Sequence, residues 1–287
     1  MAWCGIGQPE MRTPNASLTE RLLRRDRWIA LGGLVTLTIL AWAYILTGAG
    51  TGMSVRDMTI VSLFPHRMVE VPISDMSMPM KAGMWSPGYA LIVVLMWWVM
   101  MIAMMTPSAT PVILLYARAT RHSEVNSQLP HDTVSTAAFA SGYLSMWLGF
   151  SLLAVTLQWA LEKSGFVSAM MMASRSAGIS AAILIAAGFY QLSPLKQVCL
   201  RHCRAPAQFL SRNWRPGVFG AFRMGLEHGA FCVGCCWILM ALLFVGGIMN
   251  VLWIATLSIF VLLEKVAPYG AWLSRCAGIV EIGRAHV

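Results

Sequence analysis

Long apolar stretches with almost no charge inside them limit the possible folds of this chain more than any other feature. The first stretch, residues 28–47, has roughly the 20 residues that a helix needs to cross the hydrocarbon core of a bilayer. Only 11% of the 287 residues are charged and 57% are hydrophobic, whereas an average soluble domain carries roughly 25% charged residues. This composition excludes a soluble enzyme with one buried core, and also a disordered or collagen-like chain. The sequence therefore predicts a protein that lies in a lipid bilayer.

Seven apolar stretches predict an all-α fold, a polytopic bundle of about seven transmembrane helices of which the last is truncated. After the first, the stretches are 88–116, 134–161, 177–192, 219–249, 251–266 and one that starts near residue 271. Pro107 and Pro111 interrupt the second stretch, and each lacks a backbone N–H donor. We expect a kink or a break of the helix there, covered by neighbouring helices or by Ser and Thr hydroxyls.

Basic residues are distributed unequally between the two sides of this topology. The side that holds the N-terminus carries 15 Lys and Arg, and the opposite side carries 5. We therefore expect a bacterial inner-membrane protein with a cytoplasmic N-terminal segment, residues 1–27, and a transmembrane domain, residues 28–280. Residues 281–287 resemble a translated sequencing adaptor and are excluded from the fold. Glu264 and Lys265 are adjacent at the end of the sixth stretch, where we expect them to pair with each other.

Methionines, 21 in all, form two candidate sites for a soft metal ion. A polar loop has methionines at alternate positions, and the second apolar stretch has rows of them along a helix. The candidate ligands are Met76, Met78 and Met80 in the loop and Met100, Met104 and Met105 in the helix. Thioether sulfur binds soft Cu(I) far better than hard cations. The alternative for both groups is ordinary packing, at the membrane interface or between helices.

The segment GLEHGAFCVGCCW, residues 225–237, holds the strongest candidate site. On a helix, one imidazole and three thiols of this segment share a face about 100° wide. They belong to His228, Cys232, Cys235 and Cys236. This donor set suits Cu(I), zinc or iron, and the alternative is that the thiols act as small buried apolar groups. Another helix or an ion could approach closely at Gly225, Gly229 and Gly234.

The segment PLKQVCLRHCR, residues 194–204, gives a further candidate on the predicted cytoplasmic side, where thiols stay reduced. Cys199 and Cys203 face the same way on a helix, with His202 close by. The basic neighbours, which would favour metal-binding thiolates, are Lys196, Arg201 and Arg204. The alternative is a basic interfacial helix with incidental thiols. Its charges are expected to face anionic lipid head groups rather than nucleic acid.

Three blocks of the sequence resemble one bacterial family. They are MWWVMMIAMMTPSATPVILLYAR, GFYQLSPLKQVCLRHCR and RMGLEHGAFCVGCCWILMALLFVGGIMNVLWI. The family consists of predicted metal-binding integral membrane proteins, a domain of unknown function often labelled copper chaperone. The resemblance covers roughly residues 20–280. It implies a helical inner-membrane protein that binds metal, with copper suspected.

These observations favour an integral inner-membrane protein that binds a soft transition metal, Cu(I) before zinc or iron, for chaperoning or delivery. Its expected partners are the metal ion, the lipid bilayer and a membrane or periplasmic cuproprotein, and not nucleic acid. The sequence has no nucleotide-binding loop, so ligand exchange rather than ATP hydrolysis in this chain would move the metal. Two alternatives stay open. One is a membrane thiol or metal-dependent oxidoreductase that uses CVGC as a redox pair, and the other is a non-catalytic assembly subunit of a membrane complex.

Overall fold

Each predicted apolar stretch folds as helix in the computed structural model, which describes residues 16–48, 85–124, 132–166, 177–248 and 250–284. These ranges contain no strand, so the all-α prediction is confirmed for this part of the chain. In chain order the helices are α1 Ala16–Leu46, α2 Pro87–Glu124, α3 Asp132–Lys163, α4 Ala177–Leu192, α5 Pro194–Arg204, α6 Pro206–Asn213, α7 Gly217–Ala241, α8 Leu243–Gly246, α9 Val251–Val266 and α10 Gly270–Arg284.

In the part of the chain that the structure describes, fewer helices than the seven predicted could span a membrane. Among the described residues, four segments are long and apolar enough: Trp28–Leu46, Pro87–Thr120, Thr133–Lys163 and Gly217–Gly246. Together, α4 and α5 are long and apolar enough to count as a fifth span. The two helices meet at a bend of 63°. The helices α9 and α10 have only 16 and 15 residues, fewer than the roughly 20 of a typical crossing. The prediction of seven spans is therefore not confirmed.

Of the predicted kink or break at the prolines of the second stretch, the break does not occur, because α2 continues through both Pro107 and Pro111, and the kink stays a prediction. Proline removes a donor, but hydroxyl groups in the same turns donate to the helix carbonyls. Ser108 Oγ donates to the Met105 carbonyl at 2.9 Å. Thr110 Oγ1 donates to the Thr106 carbonyl at 2.9 Å. These bonds go to the carbonyls of Met105 and Thr106 and not to those four residues before each proline, so they do not replace the two missing proline donors.

Close contact between α3 and α7 positions the centre of the bundle. A Cβ atom added at Gly142 of α3 would lie 2.1 Å from the Phe222 carbonyl oxygen. A Cβ atom added at Gly225 of α7 would lie 2.0 Å from the Phe139 carbonyl oxygen. Only glycine allows two helix backbones to approach this closely. The predicted close approach at Gly225 is therefore confirmed.

Apolar side chains form the core and also cover much of the exterior, and several polar side chains are buried. Large apolar side chains point outward, for example Phe219 at 79% and Leu153 at 67% exposure. Polar side chains, among them Gln158, Lys196 and Glu264, are completely buried. Polar groups inside and apolar groups outside are what a bilayer favours. The helices are thus compatible with insertion into a membrane.

The glycine contact gives a direct test of the packing. We expect Gly142→Ala to lower the free energy of unfolding in detergent by about 2 kcal/mol, because the new methyl group overlaps the Phe222 carbonyl. Gly149→Ala, on the same helix with nothing within 4 Å of the added atom, is the matched control. It should be neutral or stabilise by about 0.5–1 kcal/mol, as alanine favours helix. Equal effects of the two substitutions would contradict the packing of α3 on α7.

Candidate metal centre

Helix α7 places the four predicted ligands of the strongest candidate site on its inward face. The buried residues of α7 include His228, Cys232, Cys235 and Cys236. Glu227 lies off this face, where its carboxylate pairs with Arg215 Nη2 at 2.9 Å. The helical periodicity therefore assigned the face correctly. None of the three thiols points toward the exterior of the bundle.

A fourth thiol joins this group from another helix. The Sγ atoms of Cys203 on α5 and Cys235 on α7 are 3.9 Å apart, and those of Cys235 and Cys236 are 3.2 Å apart. We call Cys203, Cys232, Cys235 and Cys236 the thiol cluster. Sequence analysis had assigned Cys203 to a separate site with Cys199. The structure instead brings Cys203 to the thiols of α7.

Local features of α5 explain why it can lie against α7. The helix begins at Pro194, and the Ser193 side chain caps it by accepting a hydrogen bond from the Lys196 backbone N–H at 3.2 Å. The facing residue on α7 is Gly234, and a Cβ atom there would lie 2.9 Å from Cys199 Sγ. The predicted role of Gly234 in close approach is thus confirmed. The end of α5 is fixed where Arg204 Nη2 donates to the Ala267 carbonyl at 2.7 Å.

Two groups beside the thiols were missed by sequence analysis. Lys265 Nζ of α9 donates to Cys232 Sγ at 2.9 Å and to Ser108 Oγ of α2 at 3.2 Å. The hydroxyl of Tyr143 on α3 lies 3.1 Å from Cys232 Sγ and donates to the Met105 carbonyl at 3.3 Å. Cys232 is therefore contacted from α3 and from α9. The available signal for Lys265 was the position of a lysine in an apolar stretch, which is costly in a bilayer.

The expected pair of Glu264 with Lys265 is wrong. Adjacent residues on a helix point about 100° apart, so the two side chains reach different neighbours. Glu264 Oε1 pairs with Lys196 Nζ at 2.5 Å, and both side chains are fully buried. Lys196 also donates to Gln191 Oε1. The ammonium group of Lys196 is therefore bound to Glu264 and Gln191, and the predicted influence of Lys196 on the α5 thiols has no structural basis.

The His228 ring lies in an aromatic cage on the inward face. Its centroid is 5.3 Å from that of Phe209, 5.9 Å from that of Tyr143 and 6.3 Å from that of Phe139. Among the described residues, His228 Nδ1 is buried and has no hydrogen-bond partner. Buried polar atoms are nearly always bonded. The unpaired Nδ1 atom therefore lies on the same helix face as Cys232, one helical turn before it.

Two predicted ligands on α5 do not reach the thiol cluster. His202 Nδ1 lies 2.9 Å from the Val198 carbonyl oxygen, and the ring stacks on Phe231 with centroids 4.2 Å apart. Cys199 packs against Gly234 and is partly exposed. These residues line the contact between α5 and α7. The structure therefore gives no support to a separate metal site built from Cys199, His202 and Cys203.

The methionine rows of α2 are inside the bundle. Met100, Met104 and Met105 are each at most 1% exposed. The Met104 carbonyl accepts a hydrogen bond from Ser258 Oγ at 3.4 Å, and the Met105 carbonyl accepts one from Tyr143, which in turn contacts Cys232. The C-terminal end of these rows, at Met105, is therefore close to the thiol cluster. The loop candidates Met76, Met78 and Met80 lie outside the described residues.

The thiol cluster is a set of donors rather than a formed coordination site. In the ranges given above, no three or more His, Cys, Asp or Glu side chains are arranged to hold a metal ion. Hydrogen bonds occupy the sulfur atoms instead, such as those from Lys265 Nζ to Cys232 Sγ at 2.9 Å and from Cys235 Sγ to the Cys232 carbonyl at 3.1 Å. The donor chemistry nevertheless fits a soft ion, because closely spaced thiols are the ligands that Cu(I) prefers.

Comparison with known proteins agrees with this chemistry. No curated protein and no solved structure matches the chain. A family model described as "Copper chaperone" (PpoB2) matches residues 94–287. The matched region is more than half of the chain and contains the thiol cluster, the methionine rows and Lys265. The chain belongs to this copper chaperone family.

Proposed function

We propose that this protein is an integral membrane carrier of Cu(I), which binds the ion through the thiol cluster and transfers it by ligand exchange. The observation that carries the proposal is the meeting of four thiols from α5 and α7 within a helical bundle. The Sγ atoms of Cys203 and Cys235 are 3.9 Å apart and those of Cys235 and Cys236 are 3.2 Å apart, so short movements would bring these thiols around one ion. Thiolates hold Cu(I) in preference to hard cations.

His228 is proposed as a supplementary ligand. Its Nδ1 atom is buried without a hydrogen-bond partner in the described part of the chain. Neutral imidazole is a ligand for copper, zinc and iron. Because imidazole is a weaker ligand than thiolate, its bond to the ion could be replaced first. The ion could then leave the cluster in steps. Such a mixed donor set suits a carrier better than a permanent store.

The methionines provide the proposed route to the cluster. The helix α2 buries Met100, Met104 and Met105. The Tyr143 hydroxyl contacts both the Met105 carbonyl oxygen and Cys232 Sγ. Met76, Met78 and Met80 would collect the ion outside the membrane. Because thioether is neutral and binds Cu(I) weakly compared with thiolate, a row of such groups favours movement toward the thiols. A membrane or periplasmic cuproprotein is the proposed partner.

The proposed setting is a bacterial inner membrane with the N-terminus in the cytoplasm. The support is the apolar exterior of the helices together with the 15 basic residues on one side against 5 on the other. Several arginines have partners within the protein. Arg204 binds the Ala267 carbonyl, and Arg215 and Arg223 pair with Glu227. These contacts within the protein account for the three arginines without a nucleic-acid partner.

Metal binding by purified protein tests the proposal. Full-length protein in detergent, titrated with Cu(I) against a competing chelator, should bind at least one ion per chain. We expect the double variant Cys232→Ser and Cys235→Ser to lose the tightest binding by about a hundredfold or more, because hydroxyl is a poor ligand for a soft ion. Cys276→Ser is the matched control, since Cys276 is a free, partly exposed thiol of α10.

Three results of this titration lead to different conclusions. Loss of binding in the double variant but not in the control supports the proposal. A wild-type protein that binds no Cu(I) contradicts it and favours the assembly subunit. A Cys203–Cys235 disulfide trapped in cells, with no bound copper, favours a thiol oxidoreductase, for which the 3.9 Å separation of these sulfur atoms is the supporting observation.

The route through α2 makes a kinetic prediction. We expect the triple substitution Met100→Leu, Met104→Leu and Met105→Leu to slow loading of the thiol cluster by Cu(I) about tenfold or more, while equilibrium affinity stays unchanged. Leucine fills a similar volume, so the cost to folding should remain below about 1.5 kcal/mol at each position. Stopped-flow loading of protein in vesicles measures the rate. An unchanged rate would assign these methionines to packing alone.

A further inference from the structure

Lys265 introduces a positive charge directly into the thiol cluster. Its ammonium group is buried, and it contacts Cys232 Sγ at 2.9 Å. Among the described residues, no carboxylate lies within ion-pair distance of Lys265. A buried ammonium ion is costly without an anionic partner. The sulfur of Cys232 is the group in this part of the chain that can serve as that partner.

Neighbouring contacts keep the charge in this place. Ser108 Oγ accepts a second hydrogen bond from Lys265 Nζ at 3.2 Å. Glu264, the nearest acidic residue in the sequence, is bound to Lys196 on another side of α9. The ammonium group is therefore held between α2 and α7, against the sulfur that a bound ion would share. Its charge contributes to the electrostatic potential of the cluster whether or not an ion is present.

This arrangement has a consequence for the charge of the ion that binds. When two of the four thiols bind an ion as thiolates, they carry two negative charges, and Lys265 cancels one of them. A monovalent ion then gives a neutral site, whereas a divalent ion leaves one positive charge uncompensated in a low-dielectric interior. We infer that Lys265 is a specificity-determining residue, which makes the thiol cluster selective for a monovalent soft ion over divalent zinc. The inference rests on the proposed function, because it assumes that the cluster binds Cu(I).

The effect should be large enough to measure. A unit charge about 4 Å from the ion, at an effective dielectric constant of about 20, changes a binding constant roughly a thousandfold for each unit of ion charge. We expect about a hundredfold, since side chains relax around the ion. Removal of the Lys265 charge changes the electrostatic free energy of binding twice as much for Zn²⁺ as for Cu(I), because Zn²⁺ carries twice the charge. The ratio of the two affinities therefore reports the charge.

The experiment compares Lys265→Gln with wild type in the full-length protein in detergent. Binding constants for Cu(I) alone and for Zn²⁺ alone are measured by chelator competition at one pH. The ratio cancels those effects of the substitution on the thiols that are common to both ions. We expect the ratio of zinc to Cu(I) affinity to rise about a hundredfold in Lys265→Gln and to stay near the wild-type value in Lys265→Arg.

Controls separate charge from structure. Lys163→Gln removes a lysine at the end of α3, where the ammonium group lies 5.2 Å from the Trp159 ring centroid rather than beside a thiol, and it should leave the ratio unchanged. Lys265→Met, which retains an apolar stem, replaces Lys265→Gln if the amide variant does not fold. If neither neutral variant folds while Lys265→Arg does, the role of Lys265 is structural and the inference is overturned.

The remaining outcomes distinguish this inference from the proposed function. If wild type and Lys265→Gln bind Cu(I) with the same ratio of zinc to Cu(I) affinity, the inference is wrong and the carrier function stands. If wild type binds no Cu(I), the proposed function itself is wrong. A ratio that rises equally in Lys265→Gln and Lys265→Arg also overturns the inference, because it would depend on shape and not on charge.

Discussion

The buried position of charged and polar side chains is the constraint on which the rest of this structure depends. In a chain with an apolar exterior, a buried charged group is costly unless it finds a partner within the bundle. Lys196 pairs with Glu264, and Lys265 is placed against Cys232 and Ser108. These contacts join α2, α5, α7 and α9. Residues of the proposed metal centre therefore also help to fix how the helices are arranged.

Glycine contacts supply the second part of this arrangement. Gly142 and Gly225 allow α3 and α7 to touch along their backbones, and Gly234 allows α5 to lie beside α7. Tyr143 and Cys203 are carried to the same region by these two approaches. Without them the sulfur of Cys232 would lack its contact with Tyr143, and Cys235 would lack its neighbour on α5. Small residues thus determine which donors meet.

Sequence reasoning identified the inward face of a helix and the glycines where helices approach, but it missed which side chains from different helices meet. The inward face of α7 follows from a period of 3.6 residues, and its buried thiols confirm it. The union of Cys203 with Cys235 depends on how α5 crosses α7, which spacing along the chain does not specify. Glu264 and Lys265 were paired because they are adjacent, although adjacent side chains on a helix diverge. Seven spans are not confirmed for the described residues, because α9 and α10 are shorter than a typical crossing.

X-ray absorption at the copper edge, on the full-length protein loaded with one equivalent of Cu(I), tests the central claim most directly. The account predicts a first coordination shell made mainly of sulfur in the wild-type protein, and loss of sulfur from that shell when Cys203 is changed to serine, because α5 and α7 both supply ligands. A shell of nitrogen and oxygen, or a spectrum that does not respond to substitution within the thiol cluster, would contradict it.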